Sequence, residues 1–382
     1  MNKMVDKVRY IGLMSGTSAD GIDLALVEFD PTEQQHANAA NLKASYYQAY
    51  DDDTQAQIMS LYDASPHELD RANSLHIELA EQFAQAITAF LQQENLTAAD
   101  ITAIGCHGQT IRHRPASGQY NRRPFTLQIG CLQTLALLTG VRVVGDFRAK
   151  DIALGGQGAP LVPAFHQAIF GCAEKDVFVV NIGGIANISF LPHKADASTL
   201  GFDTGPGNAL LDYWYSQHQT GRFDPQGQWA STGTVCPALL KQMLSDDYFL
   251  QAAPKSTGRE YFNSQWLAKY CANSSLPAAD IQATLTTLTA DTIAQAIKQL
   301  SRQAKVYICG GGMNNNHLIS LLNQKLENHQ LIKTEQKNIS SDALEAMAFA
   351  WLAFAFDENI FGNIPAVTGA SRPAVLGVSV NP

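Results

Sequence analysis

The sequence predicts an α/β protein with two domains, each built on a sheet flanked by helices. Its 382 residues are more than a single domain usually holds. Segments typical of strands alternate with segments typical of helices along the chain. A strand, a glycine turn and a returning strand occur twice, near residues 10–29 and 176–191. This internal similarity indicates two halves built on one plan.

Composition and charge limit the classes of function. Hydrophobic residues make up 46% of the chain and charged residues 16%, which is typical of a globular protein with a large core. The formal charge of −9 argues against nucleic acid or an anionic membrane surface as the main partner. It leaves room for a local basic pocket that binds phosphate.

The cysteines and the apolar segments indicate a compartment. Six cysteines stand far apart, at 106, 131, 172, 236, 271 and 309, and none forms a C-x-x-C pair. They predict free thiols in a reducing compartment rather than a zinc site or a disulfide framework. Residues 1–6 lack the apolar core of a signal peptide, and the apolar run 344–356 is shorter than the about 20 residues that cross a bilayer. We therefore expect a cytoplasmic protein.

The first hairpin is the stretch around which the chain is organised. Apolar residues lead into its turn, and alternating apolar residues lead out of it. The turn is rich in glycines and hydroxyls, which offer N–H and O–H donors to a phosphate: Gly12, Ser15, Gly16, Thr17, Ser18 and Gly21. It is neither a Walker A loop nor a dinucleotide fingerprint, since no Gly-Lys-Ser/Thr follows and the next element is a strand. An ordinary glycine-rich hairpin stays an equal alternative.

Polar side chains follow the next predicted strand. Residues 30–44 predict a surface connection, and residues 71–94 an amphipathic helix. A buried strand at 101–106 runs into His107-Gly108-Gln109-Thr110, at the sheet edge where open α/β folds bind ligands. Strands follow at 125–129 and 141–144. The glycine-dense residues 151–163 predict a hinge or domain crossing that leads into a helix.

The second half repeats the opening pattern and places a carboxylate at a strand end. Predicted strands at 176–181 and 185–191 flank the turn Gly183-Gly184. Asp203 stands where a further strand ends, before a glycine turn and an apolar helix. By pattern alone, an Asx turn or a helix cap is favoured over a catalytic role for this residue. Helices follow at 235–244, 262–271 and 278–302, and the loop 254–261 carries two cations.

The last segments offer two further candidate sites. The strand 306–309 ends in Gly310-Gly311-Gly312, which either admits a flat ligand such as a nucleobase or forms a plain strand-to-helix turn. Residues 342–356 predict an apolar helix. Asp342 and Glu345 fit a capping box there, and that structural role competes with a ligand role for Glu345. Residues 375–380 predict a strand that returns to one of the sheets.

Taken together, the motifs from residue 11 to about 370 resemble the anhydro-N-acetylmuramic acid kinase family. Eight of them occur in the family's order: Gly12-x-Met14-Ser15-Gly16-Thr17-Ser18-x-Asp20-Gly21-x-Asp23, Cys106-His107-Gly108-Gln109-Thr110, Gly145-Asp146-Phe147-Arg148, Gly155-Gly156-Gln157-Gly158 through Pro163, Asn181-Ile182-Gly183-Gly184, Phe202-Asp203-Thr204-Gly205, Lys255-Ser256-Thr257-Gly258-Arg259-Glu260, and Asp342-Ala343-x-Glu345. Cys106 stands where the family usually has Ser.

The resemblance implies the actin, Hsp70 and sugar-kinase fold, a ribonuclease H-like α/β fold with two domains around an interdomain cleft. It implies ATP and Mg²⁺ as cofactors, a sugar as substrate, a role in murein recycling and a homodimer. The predicted domains are 1–144 plus 368–382, with the ATP phosphate hairpin, and 145–367, with the second phosphate hairpin, the catalytic Asp and the adenosine site. In the implied reaction, water opens the 1,6-anhydro bridge while O6 takes the γ-phosphate.

The resemblance also assigns candidate roles to residues. One general base suffices when the γ-phosphate captures the leaving oxygen, and the resemblance puts that base at Asp203. Glu345 is the second carboxylate, Arg148 faces the sugar, and either Asp20 or Asp23 reaches the metal through water. His107, Gln109 and Thr110 are further sugar contacts, with a structural role equally open for His107. The predicted nucleotide contacts are Gly16, Thr17, Ser18, Ala19, Asp20, Gly21, Ile22, Asp23, Gly183, Gly184, Gly311 and Gly312.

Two other functions are alternatives for this sequence. The first is a kinase of the same fold that acts on a simple hexose or amino sugar. The second is a nucleotide-switched binding protein like the actin and Hsp70 relatives, although the sequence carries no recognisable polymerisation insert or peptide-binding domain.

Overall fold

The structure is a computed structural model that describes residues 7–31, 40–116, 123–194, 197–253, 255–272, 274–337 and 339–382. It divides into two compact units: unit 1 is Met1–Ile169 with Asn338–Pro382, and unit 2 is Phe170–Lys337. The predicted boundaries after residues 144 and 367 differ from this division, and both fall inside unit 1. Arg148 and Glu345 therefore belong to unit 1. Part of the predicted 30–44 connection and Pro254 lie outside the described residues.

The described residues form twelve strands: β1 Val8–Ser15, β2 Gly21–Phe29, β3 Ala40–Ala49, β4 Ala103–Arg114, β5 Phe125–Ile129, β6 Val143–Gly145, β7 Asp176–Ile182, β8 Ile185–Leu191, β9 Leu200–Pro206, β10 Ala304–Cys309, β11 Gln330–Lys333 and β12 Val378–Val380.

They also form thirteen α-helices: α1 Asp52–Ser60, α2 Glu68–Gln93, α3 Leu132–Thr139, α4 Ala149–Ala153, α5 Val162–Phe170, α6 Ala209–His218, α7 Pro237–Leu244, α8 Asp247–Leu250, α9 Ser264–Cys271, α10 Ala278–Leu300, α11 Asn316–Lys325, α12 Leu344–Asp357 and α13 Pro365–Thr368.

The two sheets share one plan. In unit 1 the strand order is β12-β6-β4-β1-β2-β3, with β5 paired to β4, and in unit 2 it is β11-β10-β7-β8-β9. In each sheet the first three strands form an antiparallel meander. Two further strands run parallel to the first strand of each sheet, β4 and β6 in unit 1 and β10 and β11 in unit 2. The predicted α/β class, with two halves built alike, is confirmed. Both glycine turns thus join the first two strands of a sheet.

Helix α12 packs closely against the sheet of unit 1. A methyl group at Gly12 of β1 would lie 1.7 Å from the carbonyl oxygen of Ala346, and one at Gly105 of β4 would lie 1.9 Å from that of Phe349. The helix is buried along nearly its whole length, from Leu344 to Ala355. This contact fixes residues 342–345 next to the hairpin of β1 and β2, and it is why unit 1 includes the C-terminal segment.

Three local predictions are wrong. Residues 40–44 belong to β3, an edge strand whose side chains alternate between half-buried and exposed, and not to a surface connection. Helix α12 begins after Ala343 without a side-chain cap, so the capping box does not form. The glycine-dense residues 155–158 are not a domain crossing but lie within unit 1. They wrap the buried carboxylate of Asp151, whose Oδ2 accepts from the N–H of Gly158 at 2.7 Å.

Candidate active site

The loop that joins β1 to β2, residues 16–20, is anchored by buried side chains of unit 1. Ser15 Oγ donates to Gln109 Oε1 at 2.5 Å and lies 2.8 Å from Tyr50 Oη. Gln109 Nε2 then donates to the carbonyl of Gly16 at 3.1 Å. Gln109 is fully buried in this network. The predicted sugar-facing role of Gln109 therefore does not fit its position, and it serves as a support of the loop.

Most of the other carbonyl groups of the loop are held in the same way. Side-chain donors reach three of them: Tyr62 Oη to Thr17 at 2.9 Å, Gln55 Nε2 to Ala19 at 2.9 Å, and Tyr47 Oη to Asp20 at 2.9 Å. Because the N–H of a trans peptide points opposite to its carbonyl, these bonds turn the next N–H groups away from the supports. Among the described residues, none accepts a hydrogen bond from the N–H of Thr17 or Ser18.

The carbonyl groups of the second glycine turn, Gly183 and Gly184 in unit 2, are also paired, here mainly with backbone N–H donors. Asn208 donates from its N–H to the carbonyl of Gly183 at 2.8 Å, and from Nδ2 to that of Ile182 at 3.1 Å. The N–H of Gly207 donates to the carbonyl of Gly184 at 2.9 Å. Within the described part of the chain, the N–H groups of Gly183 and Gly184 have no acceptor. Both turns therefore present free donors, as an anion-binding loop requires.

Asp203 lies on β9 and is held by the loop that follows α8. Its Oδ2 accepts from the N–H of Thr257 at 2.9 Å and from Ser256 Oγ at 3.1 Å. No described residue donates a hydrogen bond to Oδ1. Burial raises the pKa of the half-buried carboxyl, and Glu260 adds to the rise, while the two hydrogen bonds oppose it. One oxygen is thus oriented and the other is free to accept a proton.

Four carboxylates of unit 1 share one region. Burial raises the pKa of Asp23 to about 7, and the charges of Asp20, Glu345 and Asp342 contribute to this rise. Glu345 keeps solvent access, but the surrounding protein displaces enough water to raise the pKa of its carboxyl. Arg148 partly offsets that rise. The negative charge that Arg148 leaves uncompensated favours a bound cation.

These carboxylates fit Mg²⁺ only as partial ligands. No group of three or more His, Cys, Asp or Glu residues in the described ranges is arranged to hold a metal ion by itself. Magnesium in nucleotide enzymes is usually held by one or two carboxylates together with waters and phosphate oxygens. Asp20, the last residue of the first loop, and Asp23, the third residue of β2, supply two such carboxylates.

Arg148 and His107 form a pair in unit 1. Arg148 donates from Nε and Nη2 to His107 Nε2, at 3.1 and 3.0 Å, and from Nη1 to the carbonyl of Gly158 at 2.7 Å. Burial, together with the neighbouring guanidinium, lowers the pKa of His107 to about 3. The neutral imidazole therefore accepts from Arg148 and orients it, which supports the structural role for His107.

Thr110, Gly311 and Gly312, further predicted ligand contacts, differ in how accessible they are to a ligand. Thr110 Oγ1 accepts from Gln128 Nε2 at 3.1 Å. Gly311 is exposed and its Cβ position is open to all but the side chain of Asn208, at 3.7 Å. A methyl group at the buried Gly312 would meet the side chain of Ile182 at 2.3 Å. Gly312 therefore has a packing reason to be glycine.

Several residues of the site were missed by the sequence interpretation. Tyr47, Gln55 and Tyr62 stabilise the first loop, but they lie in segments with no motif of their own. Ser256 and Thr257 bind Asp203 across 53 and 54 residues of sequence. The sequence showed only that the loop of Ser256 and Thr257 is polar and contains a glycine. It did not indicate that the loop binds Asp203.

Comparison with known proteins decides the family. The family model described as anhydro-N-acetylmuramic acid kinase matches residues 8–382. The chain belongs to the anhydro-N-acetylmuramic acid kinase family. The predicted family and enzyme class are confirmed.

Relatives of this kinase family match along their whole length. The anhydro-N-acetylmuramic acid kinase of Colwellia psychrerythraea is 55% identical over 401 residues, which cover 100% of this chain and 99% of the relative. That of Saccharophagus degradans is 47% identical, covering 96% and 97%. That of Coxiella burnetii is 42% identical, covering 97% of each. Among the described residues of the kinase, no helix has the length and apolar character needed to span a membrane.

Proposed function

We propose that the enzyme uses ATP to phosphorylate O6 of 1,6-anhydro-N-acetylmuramic acid while water opens the anhydro bridge, giving N-acetylmuramate 6-phosphate and ADP. Its family membership over residues 8–382 supports the substrate. The observation that carries the hydrolytic step is Asp203, with one carboxylate oxygen fixed by two donors and the other free. The expected place in murein recycling, the cytoplasmic location and the homodimer belong to the same proposal.

The reaction balances with a single general base. Asp203 takes a proton from water as the water oxygen bonds to C1 and the C1–O6 bond breaks. The electron pair left on O6 attacks the γ-phosphorus, and the bond between that phosphorus and the β–γ bridging oxygen breaks to release ADP. The proton on Asp203 then passes to solvent. A general base typically contributes about 10²–10⁴-fold to the rate.

The other residues bind and orient the reactants. The free N–H groups of Thr17 and Ser18 in the first loop, and those of Gly183 and Gly184 in the second turn, suit phosphate oxygens. Glu345 is suited to hold the attacking water or a sugar hydroxyl, and Arg148 to bind the lactate carboxylate. When bound, Mg²⁺ neutralises the charge of the phosphates. Exposed Gly311 is the candidate adenosine contact.

The test is product formation across a panel of sugars with H₂¹⁸O as solvent. ADP release is expected with the 1,6-anhydro sugar, with one ¹⁸O atom incorporated at C1 of the product. N-Acetylmuramate, glucose and N-acetylglucosamine serve as open-ring controls and are expected to give little ADP. Phosphorylation of open sugars without ¹⁸O at C1 would identify a simple sugar kinase instead. Slow hydrolysis of ATP at a rate that no sugar changes would favour a nucleotide-switched binding protein.

The hydrogen bond by which Tyr62 holds the first loop gives a separate prediction. Tyr62→Phe removes the hydrogen bond to the carbonyl of Thr17 at 2.9 Å, so the loop loses part of its orientation. Since such a bond contributes about 0.5–1.5 kcal/mol, KM for ATP should rise about two- to tenfold, with little change in KM for the sugar. Tyr215→Phe gives up a weaker bond to the carbonyl of Thr220 at 3.5 Å and is the matched control. A shift in KM for the sugar alone would contradict this role.

A further inference from the structure

Arg259 is an exposed cation that lies against the second glycine turn. A methyl group at Gly184 would lie 2.7 Å from Arg259 Nε and 2.8 Å from Nη2. The absence of a side chain at Gly184 is therefore what makes room for the guanidinium. Both partners belong to unit 2.

The guanidinium is not committed to another protein group. In the described residues, Arg259 makes no hydrogen bond and no ion pair. Its interaction with Asp212 is weaker than an ion pair: burial raises the pKa of Asp212 to about 6, and the positive charge of Arg259 only reduces that rise. An arginine with five unused donors beside a turn with free N–H groups is arranged for an anion.

The second cation of the same loop has a different role. Lys255 Nζ donates to the carbonyl of Tyr248 at 3.0 Å and lies 4.6 Å from the centre of the Tyr248 ring. Lys255 therefore holds the loop in place, and the same loop supplies Ser256 and Thr257 to Asp203. One loop thus positions the carboxylate of Asp203 and presents the guanidinium of Arg259.

We propose that Arg259 binds phosphate oxygens of ATP at the second glycine turn and stabilises the charge that moves during phosphoryl transfer. The proposal rests on the function proposed above. Phosphate is favoured over the sugar carboxylate because Gly183 and Gly184 add N–H donors beside the guanidinium, and a phosphate offers more oxygens to bind than a carboxylate. A planar guanidinium binds two such oxygens at once, which an ammonium group does not.

Substitution of Arg259 tests this role. Arg259→Gln should lower kcat/KM for ATP by about 10²–10³-fold, the usual loss when a donor to transition-state charge is removed. Arg259→Lys should recover part of the loss, and added guanidinium ion should partly restore Arg259→Ala. Gly184→Ala should also lower kcat/KM for ATP because its methyl group displaces the guanidinium, with little loss of stability. Arg302→Gln, which changes an exposed arginine just before β10, is the charge-matched control and should keep full activity.

ATP affinity without sugar separates this proposal from the proposed function. Calorimetric titration should show weaker ATP binding by Arg259→Gln than by the wild type, whichever sugar the enzyme phosphorylates. Unchanged ATP affinity together with unchanged kcat/KM would overturn the proposal. So would a rise in KM for the sugar alone, or a loss of activity that neither Lys nor guanidinium ion restores. Failure of the wild type to use the anhydro sugar would instead overturn the proposed function.

Discussion

Asp203→Asn is expected to lower kcat by about 10²–10⁴-fold while ATP affinity and the midpoint of thermal unfolding stay close to the wild-type values. The asparagine carbonyl can still accept from the N–H of Thr257 and from Ser256 Oγ, so the loop keeps its anchor. The amide NH₂ then replaces Oδ1, and it cannot take a proton from water. Single-turnover kinetics with the anhydro sugar and calorimetric titration with ATP measure the two quantities separately.

Glu260→Gln is the matched control for this prediction. Glu260 is an exposed carboxylate of the same loop, and its charge raises the pKa of Asp203. Its removal should preserve turnover at neutral pH and move the acidic limb of the pH profile to lower pH, because Asp203 then ionises more readily. An Asp203→Asn enzyme with more than about a tenth of the wild-type kcat would show that another group is the base.

The two glycine turns solve the same physical problem with different donors. A turn can offer N–H groups to an anion only if its carbonyl groups are paired elsewhere, because unpaired carbonyl oxygens would repel the anion. In unit 1 the partners are side chains distant in sequence, such as Tyr62 and Gln109. In unit 2 they are the N–H groups of residues 207–209 at the start of α6. We infer that the first loop is the more sensitive to substitution.

The repeated hairpins were predictable because their signal is local. Alternating apolar residues and glycines specify a strand, a turn and a strand without reference to the rest of the chain. The division into units was not predictable in this way. It depends on the close packing of α12 on β1 and β4 through Gly12 and Gly105, and no local pattern links these residues to Ala346 and Phe349.

Local patterns predicted the residues of the candidate site only in part, for the same reason. The sequence indicated that residues 107–110 carry polar side chains at a strand end, but not which of them face a ligand. The fold turns Gln109 inward to Ser15 and Gly16, and pairs His107 with Arg148. Asp203 was singled out by the family resemblance, since its pattern alone favoured an Asx turn or a helix cap. Its supports, Ser256 and Thr257, come from a loop that only tertiary structure brings to β9.

Gly12→Ala is expected to cause the largest loss of stability among single methyl additions in the hairpin of β1 and β2. The new methyl group would lie 1.7 Å from the carbonyl oxygen of Ala346 and 2.6 Å from the backbone nitrogen of Ala350. Neither neighbour is a flexible side chain, so strand β1 or helix α12 must move. Overpacking of this kind costs about 1–3 kcal/mol, which at about 2–4 °C per kcal/mol corresponds to a fall of about 2–12 °C in the unfolding midpoint of the larger unit.

Differential scanning calorimetry with Gly16→Ala as the control decides this prediction. A methyl group at Gly16 meets only Ser18 Oγ, at 3.5 Å, so its unfolding midpoint should stay within about 2 °C of the wild-type value. Because Glu345 lies in the first turn of α12, a shifted helix in Gly12→Ala should also lower kcat at temperatures where the protein is folded. If Gly12→Ala unfolds at the wild-type midpoint, α12 does not pack on β1 as closely as described, and the placement of Glu345 beside Asp23 loses its structural basis.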